Sequence, residues 1–483
     1  MWIDEIVDKV ISRNKKNIVL TTSISPTGPL HIGKLRDISM VYFVKKELEQ
    51  RGYKLTSKLY WDDFDDFHKG ANMDEFSKQI GIPLYKVKMA NGNNYSQLYK
   101  NIFLQELSSL GIYFDKLVDQ SELYTKGQYD YYLKKILKEE NDFVEIYNTF
   151  KSSQIQTLET RTYCPRCFRL TNKSSVHNEC YCEHCARAFR RCEGITKLPF
   201  NIEWAARWAN DESDFEPIGR DHAVPNGVYE QSKEISKRIF NNLPPEVYTY
   251  EFVGISRQRK LSVSSGDASN YSISALLSYL PRELILWNFY KLNPKRYMEI
   301  DLENKFDYLK LFKEYFNMGN QESKKSKEKR VFERFENVVN STLRKEKKGE
   351  ISELFNFLEF SYKGKPNGER IDLLFDGKIQ NKELIKLFSN WIETHKKYTY
   401  LQSDFKSKRE GEFVKSVANV LKENLLTEDL KFHLQNIEEY VNHLDKEDIR
   451  AVKIIFFGTY KVPSLHKMLF IFEEEILKEL AEI

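Results

Sequence analysis

Residues 22–36 constrain this chain most, because a strand-like run, a turn rich in proline and glycine, and the start of a helix follow one another there without a gap. Residues 17–20 form a short apolar run, and residues 35–48 carry apolar side chains at helical spacing. Residues 54–61 predict a second strand. A strand, a helix and a strand in this order predict a right-handed parallel crossover, whose ligand crevice lies beyond the carboxyl ends of the strands.

The turn in this segment offers the donors that a phosphate group requires. Gly28 and Gly33 let backbone amides approach closely, and the following helix N-terminus adds a favourable dipole. The imidazole of His31 can supply one more donor, and Pro26 and Lys34 belong to the same segment. A tight loop with a surface histidine is the alternative interpretation.

A second informative stretch, residues 254–267, is a serine- and glycine-containing loop that follows a strand-like run at residues 248–253. Its basic residue Lys260 could neutralise charge that develops on a leaving pyrophosphate, with Ser262 and Ser264 beside it. A solvated basic loop is the simpler alternative.

Together the two stretches resemble the signature motifs of class I aminoacyl-tRNA synthetases, His-Ile-Gly-His and Lys-Met-Ser-Lys-Ser. They read here His-Ile-Gly-Lys at 31–34 and Lys-Leu-Ser-Val-Ser at 260–264. Matches at 25–28, 61–65, 214–217, 219–222 and 250–254 resemble the archaeal-type class I lysyl-tRNA synthetases more closely. The likeness is strong over residues 18–300 and weaker, though traceable, towards the C-terminus.

This resemblance implies activation of lysine by ATP as an aminoacyl adenylate and transfer to tRNA(Lys), with Mg²⁺ as the partner of ATP. Asp62, Asp63 and Asp65 crowd the end of the second strand, where a cationic amino acid needs acceptors, although one or two of them could instead cap a helix or stay solvated. Trp208 could equally be a core residue. The expected site residues are His31, Lys260, Ser262 and Ser264 for catalysis; Pro26, Gly28, Gly33, Lys34, Gly219, Asp221 and Lys260 for ATP; and Ser23, Ser25, Asp62, Asp63, Asp65, Trp208, His222 and Tyr250 for the amino acid.

Two departures from the family pattern keep other functions open. Ser265 stands where the loop at residues 254–267, called the signature loop below, is expected to carry a second lysine, and Ser23 stands where a glycine is expected in the amino-acid pocket. The first change removes a cation unless Arg257 or Arg259 substitutes, and the second narrows or polarises the pocket. One alternative is therefore a specialised paralogue that activates another amino acid or transfers it to a small molecule or peptide. Another is a non-catalytic tRNA-binding regulator.

All six cysteines lie within one window, which excludes a distributed disulfide framework and is typical of a reducing cytoplasm. Two Cys-x-x-Cys knuckles with zinc-ribbon spacing predict a structural Zn²⁺ site. Its expected ligands are Cys164, Cys167, Cys182 and Cys185. Cys180, Cys192, His177 or His184 could replace one ligand, and a cluster that has lost its metal is the remaining alternative.

Composition says little about partners, because 75 Lys and Arg against 71 Asp and Glu leave a net charge of only +4. With no apolar run of 18 residues and no secretory signal, we expect a cytoplasmic protein without a membrane partner. The oligomeric state stays open, with a monomer the default expectation.

We expect an α/β Rossmann-like catalytic domain of class I synthetase type with a parallel sheet, a Cys-rich zinc-ribbon insertion and an all-α C-terminal domain. Along the chain, the sequence predicts strands at 198–204 and 248–253, helices at 228–240 and 273–290, and a solvated linker at 324–330. The expected parts are 1–115 and 198–275 for the two halves of the nucleotide-binding domain, 116–197 for the insertion, 276–345 for a helical connection, and 346–483 for a helical domain that the resemblance associates with the anticodon.

Overall fold

The structure, a computed structural model, consists of two compact units. The first comprises Met1–Leu276 and Ile285–Ile300, and the second comprises Leu277–Leu284 and Asp301–Ile483. The residues that the structure describes are 1–68, 76–150, 153–255, 259–260, 271–300, 302, 304–320, 327–343, 348–359, 370, 373–374, 383–395, 408–424, 429–457, 464–473 and 476–477.

A five-stranded sheet, parallel throughout, forms the centre of the first unit. Its strands are β1 (Ile18–Ile24), β2 (Leu55–Trp61), β3 (Lys116–Asp119), β9 (Phe215–Gly219) and β10 (Glu246–Tyr250). They lie in the order β10-β9-β1-β2-β3. The connections therefore run outward in both directions from β1 and β9. In open α/β sheets a ligand crevice forms at this reversal, at the carboxyl ends of the strands.

Helices pack on this sheet where apolar residues recur at helical spacing. Helix α2 follows the first turn, and α3 begins at the side-chain cap of Asn94 and ends at Gly111, whose left-handed backbone favours glycine. The helices of the first unit are α1 (Trp2–Ser12), α2 (Leu35–Gln50), α3 (Tyr95–Leu110), α4 (Gln120–Thr125), α5 (Asp130–Lys138), α6 (Glu140–Phe150), α7 (Phe200–Asp211), α8 (Val228–Arg238), α9 (Ile273–Leu277) and α10 (Arg282–Lys291), although α9 and α10 each cross the boundary between the units.

A Cys-rich insertion lies between β3 and β9, beyond helices α4 to α6. It contains the short strands β4 (Glu159–Tyr163), β5 (Ser174–Ser175), β6 (Cys180–Cys182), β7 (Arg187–Phe189) and β8 (Ile195–Lys197). β4 pairs antiparallel with β5 and β8, and β6 forms a hairpin with β7. A small separate sheet consists of β11 (Val253–Ile255), β12 (Arg259–Lys260) and β13 (Met298–Ile300).

The described elements of the second unit, beyond its shares of α9 and α10, are helices, which confirms the all-α C-terminal region. Tyr308 and Trp391 stack at its core, with ring centroids 4.8 Å apart. No described helix has both the length and the apolar character that a membrane span requires. The helices are α11 (Lys305–Asn320), α12 (Lys327–Val339), α13 (Lys348–Glu359), α14 (Glu383–His395), α15 (Lys408–Asn424), α16 (Leu430–Asn442), α17 (Lys446–Phe457) and α18 (Leu465–Ile471).

Four local predictions need correction. The strand predicted at 198–204 is wrong, because Pro199 is the N-cap of α7, and Ile202, Ala205 and Ala206 are buried at helical spacing. The single strand at 248–253 is divided between β10 and β11. The single helix at 273–290 is interrupted before Pro281, which disfavours helical backbone at the preceding residue. Residues 327–330 of the predicted linker begin α12, while 324–326 lie outside the described residues.

A buried ion pair ties the N-terminal helix to the sheet. The carboxylate of Asp214 accepts hydrogen bonds from Nε of Arg13 and from the backbone amide of Val19, each at 2.9 Å. The side chains of Asp214 and Arg13 are 0% and 4% exposed. The pair therefore fixes the entrance to β1, the strand that leads into the candidate site.

Replacing Asp214 with alanine should lower the free energy of unfolding of the first unit by about 3 kcal/mol, because the buried Arg13 would lose the carboxylate that binds its Nε. It would keep only the partly exposed Glu246, which lies 3.7 Å from its Nη1. Tryptophan fluorescence during urea unfolding measures this, since five of the six tryptophans lie in the first unit. Glu212→Ala is the matched control, because this carboxylate is 76% exposed, and its loss should cost less than about 0.5 kcal/mol. Equal destabilisation by the two substitutions would contradict the role of the buried pair.

Candidate active site

A cleft of about 220 Å³ lies at the carboxyl edge of the sheet, where the strand order reverses. It receives residues from the turn after β1, from the turn after β9 and from the end of β10. These segments are far apart in sequence, and the parallel sheet brings them together. The lining residues are Ile24, His31, Gly33, Lys34, Asp37, Asp221, His222, Tyr250, Phe252 and Val253.

The turn after β1 is held against the chain that follows the signature loop. His31 forms an isolated antiparallel bridge with Ser272, and the carboxylate of Glu106 accepts hydrogen bonds from the amides of Leu30 and Ser274, each at 3.1 Å. The Ser274 hydroxyl donates to the same carboxylate at 2.7 Å. Burial raises the pKa of Glu106, against these hydrogen bonds. Residues 30 and 274 are thereby fixed on one buried group.

The other end of the signature loop is fixed as well. The backbone of Lys260 pairs with that of Gly254 in the small sheet. Gly254 directly follows Val253, which lines the cleft. The side chain of Lys260 lies outside the described part of the chain, as do Ser262, Ser264 and Ser265. Their predicted roles stay predictions, although both ends of their loop adjoin the cleft.

The first wall of the cleft carries an imidazole, an ammonium group and a carboxylate. Burial and the nearby charge of Lys34 lower the pKa of His31 to about 4, so the imidazole is neutral at pH 7. Its Nδ1 has no hydrogen-bond partner among the described residues. Burial lowers the pKa of Lys34 to about 8, and Asp37 opposes this shift. The Lys34 ammonium donates to the carbonyl of Ser25 at 3.2 Å. The histidine therefore offers a neutral hydrogen-bonding group, and the lysine offers a cation whose proton is easily lost.

Asp37 is a site residue that the sequence analysis missed. Burial raises its pKa to about 7, against hydrogen bonds from the Ile38 amide and the Thr22 hydroxyl. A carboxylate in the first turn of a helix is ordinary, so the sequence gives no functional signal for it. Only the position of α2 at the crevice shows that the charges of Asp37 and Lys34 compensate each other.

The opposite wall carries Asp221, His222 and Tyr250. A Cβ atom on Gly219 would lie 2.7 Å from a carboxylate oxygen of Asp221 and 3.5 Å from the hydroxyl of Tyr250. Glycine at this turn therefore lets the carboxylate stay close to the strand end. Burial raises the pKa of Tyr250 far above its ordinary value, so it stays a neutral phenol. This wall offers hydrogen-bonding groups suited to the hydroxyls of a ribose.

The remaining residues expected around ATP belong to the turn itself. Pro26 and Gly28 flank Thr27, whose carbonyl accepts a hydrogen bond from the hydroxyl of Tyr95 at 2.8 Å. Tyr95 lies at the start of α3 and is buried. Packing on α3 thus positions the turn that leads to His31.

The three aspartates that follow β2 have different surroundings. Asp63 is buried and accepts from the Lys100 ammonium at 2.7 Å and from the amide and hydroxyl of Ser121 at 2.8 Å. Asp65 is 38% exposed and pairs with Lys197 of the insertion. These contacts give Asp63 a structural role and join Asp65 to β8.

Asp62 is half-buried, with its side chain 19% exposed, and its charge is incompletely balanced. Burial raises its pKa to about 7 against the attraction of Arg207, whose guanidinium lies 3.5 Å away, and against a hydrogen bond from Ser23. Arg207 also pairs with Glu216 at 3.0 Å. Asp65 and Glu203 oppose the ionisation of Asp62. Together with Lys197, the group contains four carboxylates and two cations. The carboxylates are Asp62, Asp65, Glu203 and Glu216, and the cations are Arg207 and Lys197. Such an excess of negative charge favours a cationic ligand.

Trp208 lies in the core beneath this group. Its side chain is buried, and its indole nitrogen donates to Glu216 at 2.6 Å. Glu216 also accepts from Thr21 and from Trp204, each at 3.0 Å. The structure thus places Trp208 as a support of Glu216, and amino-acid binding by Trp208 stays a prediction.

Four sulfur atoms of the insertion form one cluster. The Sγ atoms of Cys164, Cys167, Cys182 and Cys185 all lie within 4.8 Å of one another, with pairs at 3.5 and 3.6 Å. Four sulfurs bound to zinc at about 2.3 Å in tetrahedral geometry have similar separations. The donor set therefore fits a closed, structural Zn²⁺ site. Within the described residues it is the one group of three or more potential ligands that lie this close together.

The fold and this cleft have the arrangement of a class I synthetase catalytic domain. Residues 1–338 match the family model described as tRNA synthetases class I (K), and the chain belongs to this family. A glutamate tRNA ligase structure from Elizabethkingia meningosepticum has a TM-score of 0.50 and 11% identity, covering 97% of this chain and 99% of that one. This similarity shows a shared fold.

Relatives of known name agree with the family. The chain is 30% identical over 320 residues to the lysine–tRNA ligase of Pyrococcus horikoshii, a match that covers 62% of this chain and 60% of that protein. It is 29% identical over 355 residues to the lysine–tRNA ligase of Borreliella burgdorferi, covering 69% and 67%. The chain thus spans about 60% of the length of the archaeal relative.

The affinity for ATP should fall as the pH rises from 7 to 9. Phosphates favour protonated Lys34, whose pKa in the free protein is about 8, and above about 7 ionised Asp37 adds a repelling charge. The wild-type protein should therefore bind ATP fully below pH 7 and progressively less above it. Lys34→Arg should make this dependence shallower, since arginine stays charged throughout. Titration calorimetry at several pH values measures the effect, and an equally steep loss in both proteins would contradict it.

Cys182→Ser should remove the bound zinc, because a hydroxyl is a much poorer ligand than a thiolate. Elemental analysis of the purified protein should give about one zinc per chain for the wild type and much less than one for the variant. Cys192→Ser is the control, since Cys192 is exposed and lies outside the cluster. Full zinc content in Cys182→Ser would show that another residue completes the site.

Proposed function

We infer that this protein is an aminoacyl-tRNA synthetase that activates lysine with ATP and transfers it to tRNA. The observation that carries this inference is the meeting of two distant segments at one cleft. Glu106 and the bridge between His31 and Ser272 join the turn after β1 to the chain that follows the signature loop. Family membership and relatives named lysine–tRNA ligase support the same conclusion.

In the first step a carboxylate oxygen of lysine would attack the α-phosphorus of ATP. The new bond joins that oxygen to phosphorus, the bond to the β-phosphate oxygen breaks, and pyrophosphate leaves with its electron pair. Mg²⁺ would enter as the counter-ion of ATP and share the phosphate charge. His31 would donate a hydrogen bond, and Lys34 would supply positive charge. The protein thus contributes positioning and charge stabilisation rather than a covalent intermediate.

Lys260 would add the remaining positive charge on the pyrophosphate side. Its backbone position beside Gly254 supports this role, because the loop starts next to the cleft-lining Val253. Gly219 and Asp221 would bind the ribose, with the carboxylate accepting hydrogen bonds from its hydroxyls. In the second step the oxygen of a terminal ribose hydroxyl of tRNA would attack the lysyl carbonyl carbon. The bond from that carbon to the phosphate oxygen would break, AMP would leave with its electron pair, and the hydroxyl proton would pass to the leaving phosphate.

The preference for lysine is supported by the charges near Asp62. Four carboxylates and two cations leave an excess of negative charge beside the end of β1. A bound ammonium group would lower the pKa of Asp62 from about 7 and form a charge-assisted hydrogen bond with it. Ser23 donates to the same carboxylate, so the serine at this position can orient Asp62.

Lysine-dependent exchange between ATP and pyrophosphate tests the activity directly. Among the twenty amino acids, lysine should give the highest rate, and Asp62→Asn should raise the KM for lysine about 30-fold, since a hydrogen bond to a charged group contributes about 2 kcal/mol. The KM for ATP should change little. The KM for norleucine, which keeps the α-ammonium group but lacks the side-chain ammonium group of lysine, should change little on the substitution.

Asp66→Asn is the matched control for this experiment. Asp66 follows the same strand, its side chain is 20% exposed, and its carboxylate lies near Arg161 and His68. The Asp66→Asn substitution should leave the KM for lysine unchanged. A folded, ATP-binding protein that shows exchange with another amino acid and none with lysine would reject the lysine assignment and favour a specialised relative.

A further inference from the structure

Arg36 is a buried cation in the first turn of α2 to which the proposed chemistry gives no part. It lies between Lys34 and Asp37, which both line the cleft, and it is only 1% exposed. Burial lowers the pKa of its guanidinium to about 10, so the group is charged at pH 7. Burying a charge is costly unless hydrogen bonds compensate it, so the partners of Arg36 indicate its role.

The guanidinium of Arg36 binds the backbone that precedes β13. Its Nη2 donates to the carbonyls of Pro294 at 3.1 Å and Arg296 at 3.0 Å, and the carbonyl of Asn293 lies 3.5 Å away. Its Nη1 lies 4.0 Å from the Sδ atom of Met298. These partners are neutral, and Nε has no hydrogen-bond partner among the described residues. Arg36 therefore fixes the position of a backbone segment and is not neutralised by these contacts.

One carbonyl of this segment joins α2 to the chain between β10 and β11. The oxygen of Pro294, which accepts from Arg36, also accepts from the backbone amide of Glu251 at 2.9 Å. The next two residues, Phe252 and Val253, line the cleft. Through this shared oxygen, Arg36 fixes the distance between the first turn of α2 and another part of the cleft wall.

The small sheet extends the same connection to the signature loop. Met298, which contacts Arg36, begins β13, and β13 pairs in parallel with β11. β11 pairs in turn with β12, and Gly254 lies opposite Lys260 in that pairing. Hydrogen bonds of the backbone therefore connect the segment held by Arg36 with the backbone of Lys260.

The proposed reaction requires two lysines from different elements at one triphosphate. Lys34 directly precedes α2, whereas the backbone of Lys260 belongs to the small sheet. Charge stabilisation depends on accurate placement, and an error of about 1 Å can lower a rate about 100-fold. Arg36 links α2 to the small sheet, so it can set the separation of the two lysines.

We propose that Arg36 is a positioning residue for adenylate formation, which acts through the small sheet to hold Lys260 at the phosphates of ATP. This proposal rests on the proposed function, because it assumes that the protein activates an amino acid with ATP. Arg36 itself is not among the residues that line the cleft. Its loss should therefore slow the chemical step more than it weakens the binding of lysine.

A double-mutant cycle with Lys260→Ala tests whether Arg36 acts through Lys260. Arg36→Met keeps a long side chain without donors, and it should lower the kcat of ATP–pyrophosphate exchange about 30-fold while the KM for lysine stays within about twofold. In the Lys260→Ala background the same substitution should lower kcat less than about threefold, because no ammonium group remains to be positioned. Arg36→Lys retains the charge but not the planar fork, so its kcat should lie between those of the wild type and Arg36→Met.

Arg13→Met is the matched control for the cycle. Arg13 is a second buried arginine that binds backbone carbonyls, with its Nη1 2.9 Å from the carbonyl of Pro244, but these contacts lie outside the small sheet. Any loss of kcat that Arg13→Met causes should be the same with and without Lys260. If the effects of both arginines depended equally on Lys260, general destabilisation would explain them, and the positioning role would be overturned.

Hydrogen–deuterium exchange provides a measurement that needs no catalysis. In Arg36→Met the amides of residues 251–255 should exchange faster than in the wild type, because the Pro294 carbonyl and β13 would lose their attachment to α2. The amides of residues 215–219, in the central sheet, should keep their protection. Unchanged protection at residues 251–255 would overturn the proposal.

The outcomes separate this inference from the proposed function. If the wild type supports exchange and Arg36→Met lowers kcat by the same factor with and without Lys260, the positioning role is overturned and the synthetase function stands. A folded wild type that shows exchange with no amino acid would reject the proposed function and this role with it. If Arg36→Met does not fold, Arg36→Lys takes its place in the cycle, and equal losses in the two backgrounds would again overturn the role.

Discussion

One buried carboxylate holds the candidate active site together. Glu106 lies on α3 and binds the amide of Leu30 on one side and the amide and hydroxyl of Ser274 on the other. The first partner precedes the histidine of the cleft, and the second follows the signature loop by a few residues. A polar group buried in this way is stable only while its hydrogen bonds are made, so the two segments hold each other in place. Leu30 and Ser274, which lie far apart in the sequence, are thereby held close together in space.

The wall of the cleft that carries His31 and Lys34 differs in its electrostatics from the neighbouring group around Asp62, and this difference fits the proposed chemistry. On the nucleotide side, a neutral imidazole and the balanced pair of Lys34 and Asp37 leave little net charge before ATP enters. On the amino-acid side, carboxylates outnumber cations around Asp62. A polyanion and a cationic amino acid would therefore be drawn to neighbouring but separate places. Their approach brings the lysine carboxylate close to the phosphates without competition for the same groups.

The strand, turn and helix at residues 18–50 could be predicted from the sequence, because the periodicity of apolar residues and the turn residues are local signals. The four cysteines could be predicted for the same reason, since ligand spacing is local. Asp62 and Asp63 could not be told apart, because adjacent residues after a strand point to opposite sides, and only the structure shows which side faces Lys100. Glu106 and Asp37 gave no signal, since a single acid on a helix gains its role only from tertiary contacts. The error at residues 198–204 has the same origin, as short apolar runs suit a strand and a helix alike.

The Cys-rich insertion contacts the segment that follows β2, and two of these contacts lie close to Asp62. The hydroxyl of Tyr163 donates to the carbonyl of Phe64 at 2.6 Å, and Lys197 pairs with Asp65, so both attachments lie within three residues of Asp62. The insertion therefore cannot be exchanged between relatives as an independent module. A transplanted ribbon would bring its own anchoring side chains and shift the carboxylates around Asp62. Substrate preference and the architecture of this small metal-binding element are thus expected to diverge together.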